Sequence, residues 1–187
     1  ALSLIAALGL QIITGLTGQI SVGQAAFMGF GAFAGGVLIT QLHWPFLLSL
    51  LVAGLIAGVI GTIFSLSCFR LKGFYLALVT LAAHVFFPFV VNHVPKWTGS
   101  TGGLRLPIPS IAGFTFDTAQ SWYYPVVVIA VIAVFLTKNL QRSRIGRAFV
   151  AIRDNDRAAS AVGINVRLYK MLYFFLGTFL AGVAGYL

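Results

Sequence analysis

"RIGRAFVAIRDNDRAASAVGINVRLYK" (residues 144–170) is a basic, helix-patterned block inside a chain that is otherwise oily. Ile145, Ala148, Phe149 and Ile152 recur at i, i+3, i+4 and i+7, which makes one apolar stripe on a helix. Arg144, Arg147 and Arg153 fall largely off that stripe. Asp154 or Asn155 is placed to cap a following helix, and Asp156 favours that helix's positive N-terminus. The run "RAASAV" then supplies small residues, and Gly163 suits the position just past a helix end. Asn165 is placed to start another helix, which enters an apolar run at about Tyr169. The block reads as a helix, a sharp turn, a second short helix with a small-residue face, and a glycine stop. It cannot lie in hydrocarbon, so the rest of the chain decides its surroundings.

That remainder is membrane-like. The chain has 187 residues, 59% hydrophobic and 8% charged, against about 25% charged in a soluble domain. The formal net charge is +9, from 12 Lys and Arg against 3 Asp and Glu. In a soluble domain this would point to nucleic acid. Here the bases cluster between apolar runs, so the positive-inside rule accounts for them and no nucleic-acid partner is expected. Cys68 is the one cysteine, so no intrachain disulfide forms. The first residues lack the basic start of a signal peptide. The chain does not begin with Met and ends inside an apolar run, so it is expected to be a fragment of a longer protein.

A bilayer core of about 30 Å needs about 20 apolar residues per helix. Residues 25–40, 45–69, 73–91 and 122–137 come near this, 169–187 forms a fifth run, and 2–14 is short for a span. The loop 138–170 holds Lys138, Arg142, Arg144, Arg147, Arg153, Arg157, Arg167 and Lys170 and is expected to be cytoplasmic. Alternation then puts 92–121 outside, "RLKG" (70–73) inside and "QLHWP" (41–45) outside, in agreement with their counts of basic residues. The outer loop is rich in Gly and Pro and is expected to form a short cap with interfacial Trp97 and Trp122. The expected architecture is an all-α polytopic membrane bundle, one domain over 1–187, with the two-helix loop 138–170 inside it.

"GLTGQISVGQAAFMGFGAFAGG" (15–36) interrupts the oily pattern. Gly15, Gly18 and Gly23 loosen the backbone, and Gln19, Ser21 and Gln24 place polar side chains between two apolar runs. Two readings stand, and they are compatible. One is a simple turn at the inner face; the other is a discontinuous helix lining a pathway, since irregular backbone at membrane depth survives only beside protein or a water cavity. Gly31 and Gly35, and Gly54 and Gly58, make GxxxG steps suited to close helix packing, although glycine is frequent in membrane helices anyway.

The small-residue helix suits a groove on a partner; the alternative is an amphipathic stretch lying on anionic lipid, against which the second helix offers almost nothing large to insert. "AIRDNDRAASAVGINVRLYK", "GLTGQISVGQAAFMGFGAF", "RLKGFYLALVTLA", "TGG" (101–103) and "SRIGRAFVAIRDN" resemble, in order and over most of the chain, the branched-chain amino acid ABC importer permeases of the LivM type. The resemblance implies a loop that docks onto a cytoplasmic ATPase, carried here by Ile145, Gly146, Phe149, Arg153, Asp154, Asn155, Asp156, Arg157, Ala158, Ala159 and Gly163. Arg157, Ala158, Ala159 and Gly163 occupy the places of the general EAA-x3-G signature, with Arg where that pattern has Glu. It also implies two ATP-binding subunits, a second permease chain of the LivH type, an extracytoplasmic binding protein and a bacterial or archaeal inner membrane.

No enzyme site assembles. The only carboxylates are Asp117, Asp154 and Asp156, and no GxxxxGK[ST] loop is present, so ATP is expected to bind partner subunits and this chain to need no cofactor. His43, His84 and His93 show no metal-ligand spacing. His84 falls mid-span with Thr80 one turn earlier; it reads either as a pathway residue or as a neutral imidazole bonded to a neighbouring helix. An aliphatic amino acid would need few charges along its path, and Gln19, Ser21 and Gln24 offer dipoles, with Gly18, Thr80 and His84 as further candidates. Amides and short peptides would fit a similar cavity; a permease for a sugar, nucleoside, amide or urea is the rival within transport, and a membrane enzyme or scaffold the rival from another class.

Overall fold

Each apolar run forms a helix. The computed structural model describes residues 1–66, 74–93 and 119–187, together with two short strands. Helix α1 (Leu2–Leu10) continues into a π-helical stretch, Gln11–Leu16. It is followed by α2 (Gln24–Leu42), α3 (Phe46–Ser65) and α4 (Phe74–His93). Strands β1 (Ser110–Ile111) and β2 (Phe114–Thr115) pair antiparallel. Then come α5 (Ala119–Arg142), α6 (Arg144–Asp154), α7 (Asp156–Ala161) and α8 (Val166–Tyr186). Five of these carry 19 to 21 apolar-rich residues, about 30 Å of helix and enough to cross a bilayer. Cys68, "RLKG", Trp97, "TGG" and Asp117 lie outside the described residues.

The last described helix is the axis of the bundle, because small residues let three others approach it. The backbone of Gly31 in α2 lies against that of Gly182, and Gly35 against the ring of Tyr186. In α3, Gly54, Gly58 and Gly61 receive Phe179, Phe175 and Thr178. A methyl group at any of these glycines would overlap its neighbour, so both GxxxG steps are helix contacts. On the other side Gly9 of α1 meets the carbonyl of Gly177. Ile5, Phe46, Leu50, Val183 and Tyr186 fill one end of the core, with Trp122 packed edge-on against Phe46 at 5.1 Å. Ile12, Ile13, Leu76, Phe149, Tyr173 and Phe174 fill the end nearer the basic block. Threonines in the helices satisfy their hydroxyls on the preceding turn, as when Thr178 donates to Phe174 O at 2.7 Å and Thr137 to Ala133 O at 2.8 Å. Outward faces are apolar, with Ile63, Val131 and Phe135 exposed, as hydrocarbon demands.

Candidate functional site

Two places depart from regular apolar helix, and they touch each other. The first is the segment between the π-helical stretch and α2. Thr17 donates to Ile13 O at 2.6 Å and ends the helix, and Gly18 turns the chain with φ +65°. No helix forms over 17–23. The chain then doubles back into the bundle. The Val22 N–H donates to Thr80 Oγ1 at 3.0 Å, and Gln24 Nε2 donates to Ala6 O at 3.1 Å. Ala6 lies ten residues before Leu16, or about 15 Å back along the first segment at 1.5 Å per residue. Gly23 lies so close to the Thr80 carbonyl that any side chain there would overlap it. So the chain turns at Gly18 and α2 starts well inside the bundle, an arrangement compatible with both readings, a turn and an interrupted helix.

Exposure along this segment alternates as in an extended chain. Ile20 and Val22 are 47% and 53% exposed, whereas Ser21 and Gly23 are buried. Four buried side-chain oxygens here have no hydrogen-bond partner among the described residues: Thr14 Oγ1, Gln19 Oε1, Ser21 Oγ and Gln24 Oε1. Thr80 is fully buried and donates to α4 carbonyls while accepting from Val22. His84 is exposed and has no hydrogen bond among the described residues, so the expected imidazole bond to a neighbouring helix is not seen. It lies four residues on from Thr80, some 40° round the helix at about 100° per residue. Thr80 and His84 therefore adjoin but do not share an environment. Non-helical backbone inside a bundle is not left facing lipid, because its amide groups would go unbonded there. The Gly18, Ile20 and Val22 side must face protein or water.

The second place is the basic block, which folds as the pattern requires. Ser143 Oγ accepts from Gly146 N at 3.2 Å and starts α6. Gly146 lets that helix fold tightly against the carbonyls of Leu140 and Gln141. Asn155, rather than Asp154, caps α7, its Oδ1 accepting from Arg157 N at 2.9 Å and Ala158 N at 3.2 Å. Gly163 has φ +87°, and the bonds Gly163 N to Ser160 O and Ile164 N to Ala159 O form a Schellman stop. Asn165 Oδ1 then accepts from Leu168 N at 3.3 Å and caps α8.

The structure divides the expected docking residues into two sets. Gly146, Ala148, Phe149 and Ile152 are buried against the chain's own bundle, with Phe149 edge-on to Tyr173 at 5.7 Å and Ile145 half-buried beside it. That stripe packs on Tyr173 and Phe174 of α8, so Gly146 and Phe149 support the block from within and Ile145 keeps part of its surface exposed. Ala159 is buried as well. Asp154, Asn155, Arg157, Ala158 and Gly163 remain exposed, joined by Val162 at 83% exposure. Val162 was not among the expected residues; its signal is a lone large apolar residue just before a glycine stop.

Side-chain bonds tie the block to the bundle. Lys170 Nζ donates to Asp156 Oδ2 at 2.9 Å, with Lys170 only 3% exposed, linking α7 to the central helix. Arg153 Nη1 donates to Gly15 O at 2.7 Å, linking α6 to the root of the broken segment. The arrangement is that of a multi-pass membrane permease: spans packed around one helix, an interrupted helix among them, and a two-helix loop anchored to both.

The whole chain, residues 1–187, matches the family model described as the branched-chain amino acid transport system / permease component, and the chain belongs to that family. It is 27% identical to the high-affinity branched-chain amino acid transport system permease protein LivM of Escherichia coli K12, over 97% of this chain and 48% of that protein. The LivM protein of Salmonella typhimurium LT2 is 26% identical over the same shares. The probable LivM permease of Methanocaldococcus jannaschii is 24% identical over 75% of this chain and 41% of its own. The chain thus spans about half the length of the curated relatives it matches. No solved structure matches it.

Proposed function

We propose that this chain is a permease subunit of an ABC importer that passes branched-chain amino acids along the broken segment, and that α7 docks onto an ATP-binding partner subunit. The observation that carries the reading is the Arg153 Nη1 to Gly15 O bond of 2.7 Å, which makes the docking loop and the broken segment mechanically continuous. The cluster of bases over 138–170 supports a cytoplasmic place for that loop by the positive-inside rule. A binding protein delivers substrate at the opposite face, and a second permease chain completes the water-filled path that the Ile20 and Val22 side faces. Closure of the ATP-binding subunits displaces α7. The Asp156–Lys170 pair passes that displacement to α8, and Arg153 passes it to the segment over 15–23. A differential of a few kcal/mol between the two states suffices to exchange their populations.

The test is Val162→Asp in the intact transporter, because the Val162 side chain is 83% exposed. The expected result is normal membrane insertion, loss of the ATP-binding subunits on purification, and loss of leucine uptake. Full uptake and co-purification by this variant would refute docking through α7. Competition of leucine uptake by sugars or nucleosides, with none by valine or isoleucine, would overturn the substrate class.

A further inference from the structure

We propose that the N-terminus of α2 holds the carboxylate of the transported solute, with the Ser21 hydroxyl as an added donor. This deepens the passage reading and rests on it. Helix α2 has 19 residues, begins inside the bundle and has no side-chain cap at Gly23. Ala26 N and Phe27 N bond to Gly23 O, which leaves the amides ahead of them without a helical carbonyl. These amides sit at the positive pole of the helix, which favours an anion. Ser21 is 8% exposed, lies on the same inward side as Gly23, and its Oγ has no partner among the described residues.

Among the described residues, no side-chain cation is free to take the role at this depth. Residues 1–66, 74–93, 119–137 and 171–187 contain no Lys, Arg, Asp or Glu. Lys170 is held by Asp156, and Arg153 by Gly15 O. A zwitterion also brings an ammonium group, and the free acceptors beside this helix start are Gln19 Oε1 and Gln24 Oε1. Donors for the carboxylate and acceptors for the ammonium therefore lie along one short segment with no formal charge. The match favours a solute whose two charges cancel, since transfer of a net charge into such a site is far more costly than transfer of a paired one.

The experiment uses the assembled transporter in proteoliposomes, with Cys68→Ser and Val22→Cys, the latter side chain being exposed. The rate of thiol modification at position 22 is measured with leucine, with 4-methylpentanoate, which keeps only the carboxylate, and with leucinamide, which lacks it. Leucine is expected to slow modification, 4-methylpentanoate to do so at a higher concentration because its charge is unpaired, and leucinamide to leave it unchanged. Adding Ser21→Ala is expected to raise the half-protecting concentration of 4-methylpentanoate about tenfold, the loss of one hydrogen bond to a charged acceptor. Equal protection by leucinamide and 4-methylpentanoate overturns carboxylate recognition and leaves passage along this segment intact. Absence of protection by leucine overturns both. The comparison of the three compounds stands without the Ser21→Ala variant, so it does not depend on that variant's folding.

Discussion

The basic block and the broken segment both interrupt an oily chain with polar residues, yet they treat those residues in opposite ways. In the block, Ser143, Asn155 and Asn165 each satisfy a helix start, Gly163 closes a helix end, and Asp156 neutralises Lys170. In the broken segment, Thr14, Gln19, Ser21 and Gln24 each keep a buried oxygen with no partner among the described residues. Polar groups buried without a bond each cost about 1–3 kcal/mol, so the segment pays in stability what the block does not. A self-satisfied module is suited to transmit force as a unit. A segment with spare donors and acceptors is suited to exchange partners as a solute passes.

This contrast is open to attack, and the largest effect is expected in the block. Asp156→Ala strands the buried Lys170 ammonium and is expected to destabilise the protein by about 3–5 kcal/mol. The double variant Asp156→Ala with Lys170→Met restores most of that stability, which thermal unfolding of the purified protein in detergent measures. Gly23→Ala comes next: the added methyl meets the Thr80 backbone, costing about 1–3 kcal/mol through overpacking, and leucine uptake falls with it. Asn155→Ala removes a cap that serves two amides, and about 1 kcal/mol of stability is lost. The smallest effect separates the regions best. Ser21→Ala removes a hydroxyl that bonds nothing among the described residues, so stability is unchanged or slightly raised, within about 0.5 kcal/mol, while uptake drops. Equal losses of stability in Asn155→Ala and Ser21→Ala would erase the distinction between the two regions.

The spans were legible because hydrocarbon imposes one rule over some twenty residues at a time. The caps were legible because they act within three or four residues, as Asn155 and Gly163 do. The ties between regions were not. Arg153 reaches Gly15 across 138 positions, and Lys170 reaches Asp156 across 14, so neither spacing has a local period. The stripe of Ile145, Phe149 and Ile152 was readable as apolar, but its destination was not, because periodicity fixes a face and says nothing of what covers it. The same limit hid the exposure of His84, whose position on α4 marks it as mid-span but not as outward-facing. Glycine spacing read as ambiguous because glycine is common in such helices; only the pairing of Gly31 with Gly182 and of Gly35 with Tyr186 assigns it to contact.

The placement of α8 also orders the birth of the molecule. Helices α1, α2 and α3 leave the ribosome before α8, carrying glycine-lined grooves shaped for a helix that emerges more than a hundred residues after α2 and α3 begin to form. Until it arrives those grooves hold lipid chains or one another. Biogenesis must therefore include a late insertion of α8 that displaces lipid from between spans already threaded, and a stop codon placed before Val166 would leave α1, α2 and α3 in the bilayer with no axis to close around.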